Sequence, residues 1–267
     1  MLSPDFTFSQ SNLQTFTYCR RRFYLRYVRR LIWPAQLVSD QQYAQDREAG
    51  VRFHRLVHQH FLGFDADLLR KVAEADPDQR LPVWLENFLS NSLSHLNGRL
   101  FPEALFTATV EGRTLSAKVD LLQIDNRSIS IFDWKTSRQL PNLSSLQKQQ
   151  QSKVYPLVIS RAFDGKELDH LTMVYWEANF PEQVIEINST LSDWQRYELE
   201  ISALIELIFS LKLEEFIATP DERKCYWCEY RSYCQRGKAA EKLENIQDTD
   251  LIGDEIKIPE DVLDPWG

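Results

Sequence analysis

The stretch SISIFDWKTSR, residues 128–138, alternates apolar and polar positions and then sets Asp133 and Lys135 two residues apart. Strand side chains repeat with period two, so Asp133 continues the row of Ile129 and Ile131, and Lys135 follows it on the same face. A carboxylate and an ammonium at the end of an apolar row are costly to desolvate unless they are paired, hydrogen-bonded or bound to a metal. Fold and function both turn on what surrounds those two charges.

Upstream, residues 103–111 and 113–125 are short alternating segments, linked to each other and to 128–135 through EGRT and DNRS. Turn signals of that kind predict a three-stranded antiparallel meander. Asp120, in LSAKVDLLQI, is expected near the middle of an apolar strand with Asp133 as its neighbour across the sheet, and Glu103, in FPEALF, at the start of the first strand. Two carboxylates a few ångströms apart repel unless a proton or a divalent cation separates them, and an oxygen-rich site suits Mg²⁺ or Mn²⁺.

Helices flank this meander. Ser9 or Ser11 is placed to cap a helix running toward Cys19, an arginine-rich helix is predicted through Arg30, and QQYAQDREAGVRFHRLVHQHF, residues 41–61, has helical periodicity. Further helices are predicted over 66–75, 81–97, 143–163 and 191–213, with strands at HLTMVYW and QVIEIN. Sheet flanked by helices gives an α/β or α+β layer architecture. The predicted organisation is one domain over residues 1–238 with a helical insertion at about 41–98, then an acidic tail over 239–267.

The net charge of −8 at first disfavours a nucleic-acid partner, but nine acids and two lysines in residues 239–267 account for −7 of it. The remaining body is near neutral, and CRRRFYLRYVRR concentrates Arg20, Arg21, Arg22, Arg26, Arg29 and Arg30 among aromatic residues. Global charge therefore leaves DNA and RNA open. Arginines there have the chemistry to contact phosphates, and Phe23, Tyr24 and Tyr27 to stack on unpaired bases; the alternative is inward aromatic packing with solvated arginines. No run of 18 uncharged apolar residues occurs, and MLSPDFTFSQ lacks the plan of a secretory signal, so a soluble cytoplasmic protein without membrane partners is expected.

Cys225, Cys228 and Cys234 form a C-x2-C-x5-C cluster, and Cys19 stands far upstream. Disulfides fit poorly in a reducing compartment, whereas four thiolates suffice for tetrahedral zinc or an iron–sulfur cluster, and spacing alone does not choose.

Asp-x(12)-Asp-x-Lys on consecutive strands resembles the PD-(D/E)XK nuclease superfamily, most closely its RecB and AddB-type branch, which includes the CRISPR-adaptation exonucleases. GVRFH resembles that branch's Gly-x-x-x-His, AKVDLL its Gly-Arg-x-Asp with Ala117 and Lys118 in place of glycine and arginine, IFDWKTSR its Asp-Tyr-Lys-Thr-Gly, and QSKVY its Gln-x-x-x-Tyr. The resemblance implies a restriction-endonuclease-like fold and metal-dependent hydrolysis of DNA, as an exonuclease on single-stranded ends. His54, Asp120, Asp133 and the carbonyl of Trp134 would bind Mg²⁺ or Mn²⁺, with Lys135 catalytic. Glu103, Gln151 and Tyr155 would support them, with Arg20, Arg21, Arg22, Arg26 and Tyr24 on DNA. If Lys135 assists deprotonation, its pKa must be depressed. The same branch carries a [4Fe-4S] cluster on one early and three late cysteines, here Cys19, Cys225, Cys228 and Cys234, rather than zinc. Repair, recombination and defence are the implied settings, with a helicase or repair or defence protein as partner. Two other classes remain: a catalytically silent DNA-binding or helicase-partner subunit, and a zinc-binding interaction module.

Overall fold

The computed structural model describes residues 2–32, 41–163, 168–226 and 228–237, so the acidic segment 239–267 lies outside the described residues. Two sheets and their flanking helices form a mixed α/β structure, consistent with a restriction-endonuclease-like fold. In the smaller sheet, β1 (Phe8–Ser9) pairs in parallel with β4 (Arg113–Lys118), which pairs antiparallel with β3 (Leu105–Val110). The larger sheet runs β2 (Arg99–Pro102), β5 (Leu121–Asp125), β6 (Ser128–Lys135), β7 (His170–Glu177) and β8 (Val184–Ser189). Its β6–β7 contact is parallel and the others antiparallel.

The expected meander is corrected at its second strand. Residues 113–125 do not form one strand; they split into β4 and β5, which belong to different sheets, and Asp120 lies in the break. The antiparallel partner breaks at the same level, between β2 and β3. There Glu103 takes a left-handed φ of 52° and donates its N–H to the Asp120 carbonyl at 2.8 Å. Left-handed backbone is unfavourable for a residue with a Cβ and turns the chain sharply. The two-stranded ribbon thus bends where its acids are, and a mid-strand aspartate becomes a strand-end aspartate.

Ser9 caps α1 (Gln10–Tyr18) in a reciprocal capping box with Asn12. The arginine-rich helix is shorter than expected: α2 (Arg20–Phe23) gives way to a wider π turn over Tyr24–Val28. Next come α3 (Gln41–Phe61), α4 (Ala66–Glu74) and α5 (Arg80–Leu89), the last followed by a 3₁₀ turn in place of a helix to 97. The predicted helix over 143–163 is two, α6 (Leu143–Lys148) and α7 (Gln151–Ala162), because Gln149 is extended and the Gln150 N–H goes to the Gln14 side chain at 3.0 Å. Last is α8 (Leu191–Ser210). Among the described residues, no helix is long and apolar enough to cross a membrane.

Both faces of the large sheet are covered. Ile129, Ile131, Leu171, Met173 and Tyr175 enter a core with Leu13 and Phe16 of α1, Val158 of α7 and Ile201 of α8. Phe132, Trp134, Val174 and Trp176 enter the opposite core with Phe53 of α3 and Trp84 and Phe88 of α5. Asp133 and Lys135 share the first face with Ile129 and Ile131, as the period-two reading requires. Trp176 packs 5.9 Å from Phe88 and 6.2 Å from Phe53, ring centre to ring centre. Trp176→Ala should therefore cost about 3–5 kcal/mol of stability, seen in urea denaturation as a lower midpoint with an unchanged slope.

Candidate active site

The end of β6 delivers Asp133, only 5% exposed, and Lys135 to the same spot. Lys135 Nζ lies 2.7 Å from Asp133 Oδ2 and donates to Gln151 Oε1 at 3.3 Å, while Gln151 Nε2 donates to Asp133 Oδ1 at 2.6 Å. Gln151 opens α7, so one amide side chain reaches both the buried Asp133 and the partly exposed Lys135 from the helix packed above them. Tyr155, one turn later, is also buried.

Pairing of Leu121 with Phe132 puts Asp120 opposite Asp133 across the β5–β6 edge. Asp120 Oδ2 accepts the Trp134 N–H at 2.8 Å, and its Oδ1 lies 3.3 Å from His54 Nδ1. The Trp134 indole points away into the aromatic core. His54 comes from α3, and Gly50 one turn earlier explains how. A Cβ at position 50 would stand 3.0 Å from Thr136 Oγ1, so the missing side chain lets α3 lie against the loop after β6. His54, Glu103 and Asp120 together offer three ligand atoms within 4.8 Å of one another. Two carboxylates and an imidazole are a donor set that fits Mg²⁺ or, better, Mn²⁺. Glu103, expected in a supporting role, is in this compact set, whereas Asp133 stands beside it, engaged with Lys135 and Gln151.

The charges tune one another. Burial alone would lower the His54 pKa, but the Asp120 carboxylate, helped by Asp133 and Glu103, raises it to about 9. Burial acts to raise Asp120, yet His54 and the Trp134 N–H hold it below the usual carboxylate range. Asp133 is pushed upward by burial, with Lys135 opposing. Burial acts to depress the Lys135 pKa, but Asp133 and Asp120 hold it above the ordinary lysine value, which favours the charge-stabilising role over the deprotonating one.

Glu177 was missing from the sequence reading. It ends β7, pairs in register with Lys135, and is 2% exposed. Its Oε2 accepts the Ser137 N–H at 3.1 Å, while its Oε1 is buried without a hydrogen-bond partner. Burial raises its pKa to about 7, against the pull of Lys135. Asn179 binds the Thr136 and Ser137 carbonyls, so the exit of β7 clasps the loop after Lys135. The signal was present: HLTMVYWE ends an apolar run in an acid, as SISIFDWK does in an acid and a base.

Four arginines of the row are engaged by neighbours, while Arg29 and Arg30 are exposed. Arg22 and Arg26 lie 2.9 Å and 3.5 Å from Glu229, Arg20 lies over Phe16, Arg21 over Tyr24, and Arg26 over Tyr27. Phe23 is fully buried, and Tyr24 packs 5.3 Å from Phe216, so the aromatic residues follow the inward-packing alternative. Glu229 adjoins Cys228, and these contacts join the N-terminal helices to the cysteine segment. All four cysteines are free thiols. Cys19 Sγ accepts N–H groups of Arg22 and Thr219 at 3.4 Å, Cys225 Sγ accepts Arg236 at 3.2 Å, and Cys19 acts electrostatically on Cys228 and Cys234. Among the described residues, no three of these thiols form a set as compact as that of His54, Glu103 and Asp120.

A histidine whose pKa rises from 6.5 to about 9 on folding binds its proton more tightly in the folded chain. Its contribution is full below pH 6.5 and is lost as pH rises through about 9. In chelator, the wild-type chain should lose roughly 1–2 kcal/mol over that window, after discounting for a partly exposed ring. His54→Asn should not show this loss in denaturation curves taken from pH 6 to 10.

Two solved structures align with most of the chain. An exonuclease candidate from Eubacterium rectale aligns at a TM-score of 0.50 and 14% identity, over 93% of each chain. The protein SSO0001 aligns at 0.41 and 16%, over 88% of each chain. Comparison with curated protein sequences gives no match. The sequence profile of the PD-(D/E)XK nuclease superfamily matches residues 7–235, a span that contains all the acids, the lysine and the histidine of the site. With that match over most of its length and the acid–lysine strand end in place, the chain belongs to the PD-(D/E)XK nuclease superfamily.

Proposed function

We propose that this chain hydrolyses DNA phosphodiester bonds as a divalent-cation-dependent exonuclease on single-stranded ends. The observation that carries this reading is the convergence of Asp120, Asp133 and Lys135 with His54 and Glu103 at one strand-end cluster. His54, Asp120 and Glu103, with Asp133 adjacent, would hold Mg²⁺ or Mn²⁺. Bound there, the cation would supply Lewis-acid neutralisation of phosphate charge and a lowered pKa for water.

The chain's own groups do the rest. Lys135, kept protonated by Asp133 and steadied by Gln151, offers a fixed positive charge to the phosphoryl oxygens as negative charge grows on them. Asp120 is held by a backbone N–H, so its carboxylate is oriented before substrate arrives. Glu177 and Asn179 fix the loop that follows Lys135. The likeness to an exonuclease candidate favours end-directed cleavage. A cytoplasmic location, with a helicase or a repair or defence protein as partner, accords with this reading.

We further propose that Cys19, Cys225, Cys228 and Cys234 hold a [4Fe-4S] cluster. Zinc would draw four sulfurs to within about 3.8 Å of one another at a Zn–S distance of about 2.3 Å. The pattern of one early and three late cysteines that the chain shares with the resembling branch favours the cluster. Such a link between Cys19 and Cys225 would close a long loop and restrict the unfolded chain by a few kcal/mol.

Incubation of the chain with end-labelled single-stranded and duplex DNA and Mn²⁺ tests the activity. Lys135→Ala should lower the cleavage rate by at least about 100-fold, in line with the loss of one preorganised charge donor. A wild-type chain inert on both substrates would contradict catalysis and favour a binding role. Anaerobic purification should yield roughly four irons per chain; stoichiometric zinc in their place would sink the cluster.

A further inference from the structure

Beside the acid–lysine end of β6 lies a second cation. Lys118, the last residue of β4, puts Nζ 2.8 Å from Glu103 Oε2, with its side chain 49% exposed and that of Glu103 22% exposed. The same Glu103 contributes a ligand atom to the compact set with His54 and Asp120. It is also fixed from behind, because its left-handed backbone donates an N–H to the Asp120 carbonyl. Glu103 therefore faces two claimants, an ammonium already in contact and the cation that the three-donor set fits.

Those claimants repel. An ammonium within a few ångströms of a divalent cation opposes its binding, and an ammonium that neutralises Glu103 weakens the attraction the carboxylate would exert. Lys118 differs from Lys135 in its freedom. Lys135 is clasped by Asp133 and Gln151, whereas Lys118 is half exposed at the seam between the two sheets. A flexible, exposed lysine can swing to a phosphate oxygen with little loss. We propose that Lys118 is an internal competitor for the divalent cation, holding Glu103 until a DNA phosphate draws it away, so that substrate and cation each tighten the binding of the other. Such coupling is reciprocal by thermodynamic necessity. The inference rests on the metal-dependent reading above.

The test measures Mn²⁺ affinity by electron paramagnetic resonance of free Mn²⁺, on the full chain, with and without a cleavage-resistant phosphorothioate single strand. Wild type, Lys118→Met, Glu103→Gln and the double variant form a thermodynamic cycle. Without DNA, Lys118→Met should bind Mn²⁺ about two- to fivefold more tightly, the range of a partly exposed ion pair. In the Glu103→Gln background the same change should have a smaller effect, since only direct repulsion between ammonium and cation then remains. The oligonucleotide should tighten Mn²⁺ binding to wild type by a larger factor than to Lys118→Met. Equal or weaker binding by Lys118→Met, or a gain undiminished without Glu103, overturns the competition while leaving the metal site standing. Absence of Mn²⁺ binding by wild type and Lys118→Met alike overturns the metal-dependent reading and the competition together.

Discussion

The contact between Asp133 and Lys135 at the end of an apolar strand is the constraint from which the rest of the site follows. A nearly buried carboxylate cannot stay charged without compensation, and here compensation comes from three directions. Lys135 supplies the opposite charge from the same strand, Gln151 an N–H from the helix above, and the strand break opposite places Asp120 where a cation would serve both acids. Each arrangement fixes a larger piece of architecture. Gln151 requires α7 to start over the sheet, and Asp120 requires the two-stranded ribbon to bend between the sheets. His54 requires α3 to come close enough that position 50 has no room to spare for a side chain.

Preorganisation of this kind is electrostatically unfavourable for the isolated chain. Asp120, Asp133, Glu103 and Glu177 lie in one region with His54, Lys118 and Lys135 as the nearest opposing charges, and the response is visible in their proton affinities: His54 is raised and Asp133 pushed upward. A site that binds a cation and a phosphate has to be built in this way, since the charges that oppose folding are those that the ligands later neutralise. The aromatic core beneath, with Trp134, Trp176, Phe53 and Phe88, supplies the burial that holds the acidic rim together.

Much of this was legible in the sequence, for identifiable reasons. Period-two alternation set Asp133 and Lys135 on one face with Ile129 and Ile131, and that is where they lie. Helical spacing gave α3, and the Ser9 cap gave the start of α1. What escaped was decided by contacts between segments. The break at Asp120 depends on the left-handed Glu103 one strand away, and the split between α6 and α7 on Gln14, far upstream. Glu177 escaped because its partner Lys135 becomes a neighbour only through the parallel pairing of β6 and β7. The surroundings of the arginine row also escaped: Glu229, more than 200 residues away, pairs with Arg22 and Arg26, and Phe216 packs against Tyr24.

The most direct test of the strand-end cluster as a metal-dependent centre is anomalous diffraction at the manganese edge from crystals soaked in Mn²⁺. A peak bounded by His54, Glu103 and Asp120, with the Asp133 carboxylate turned toward it, is the expected result. Manganese bound elsewhere, with the His54–Asp120 and Asp133–Lys135 pairs undisturbed, would contradict it.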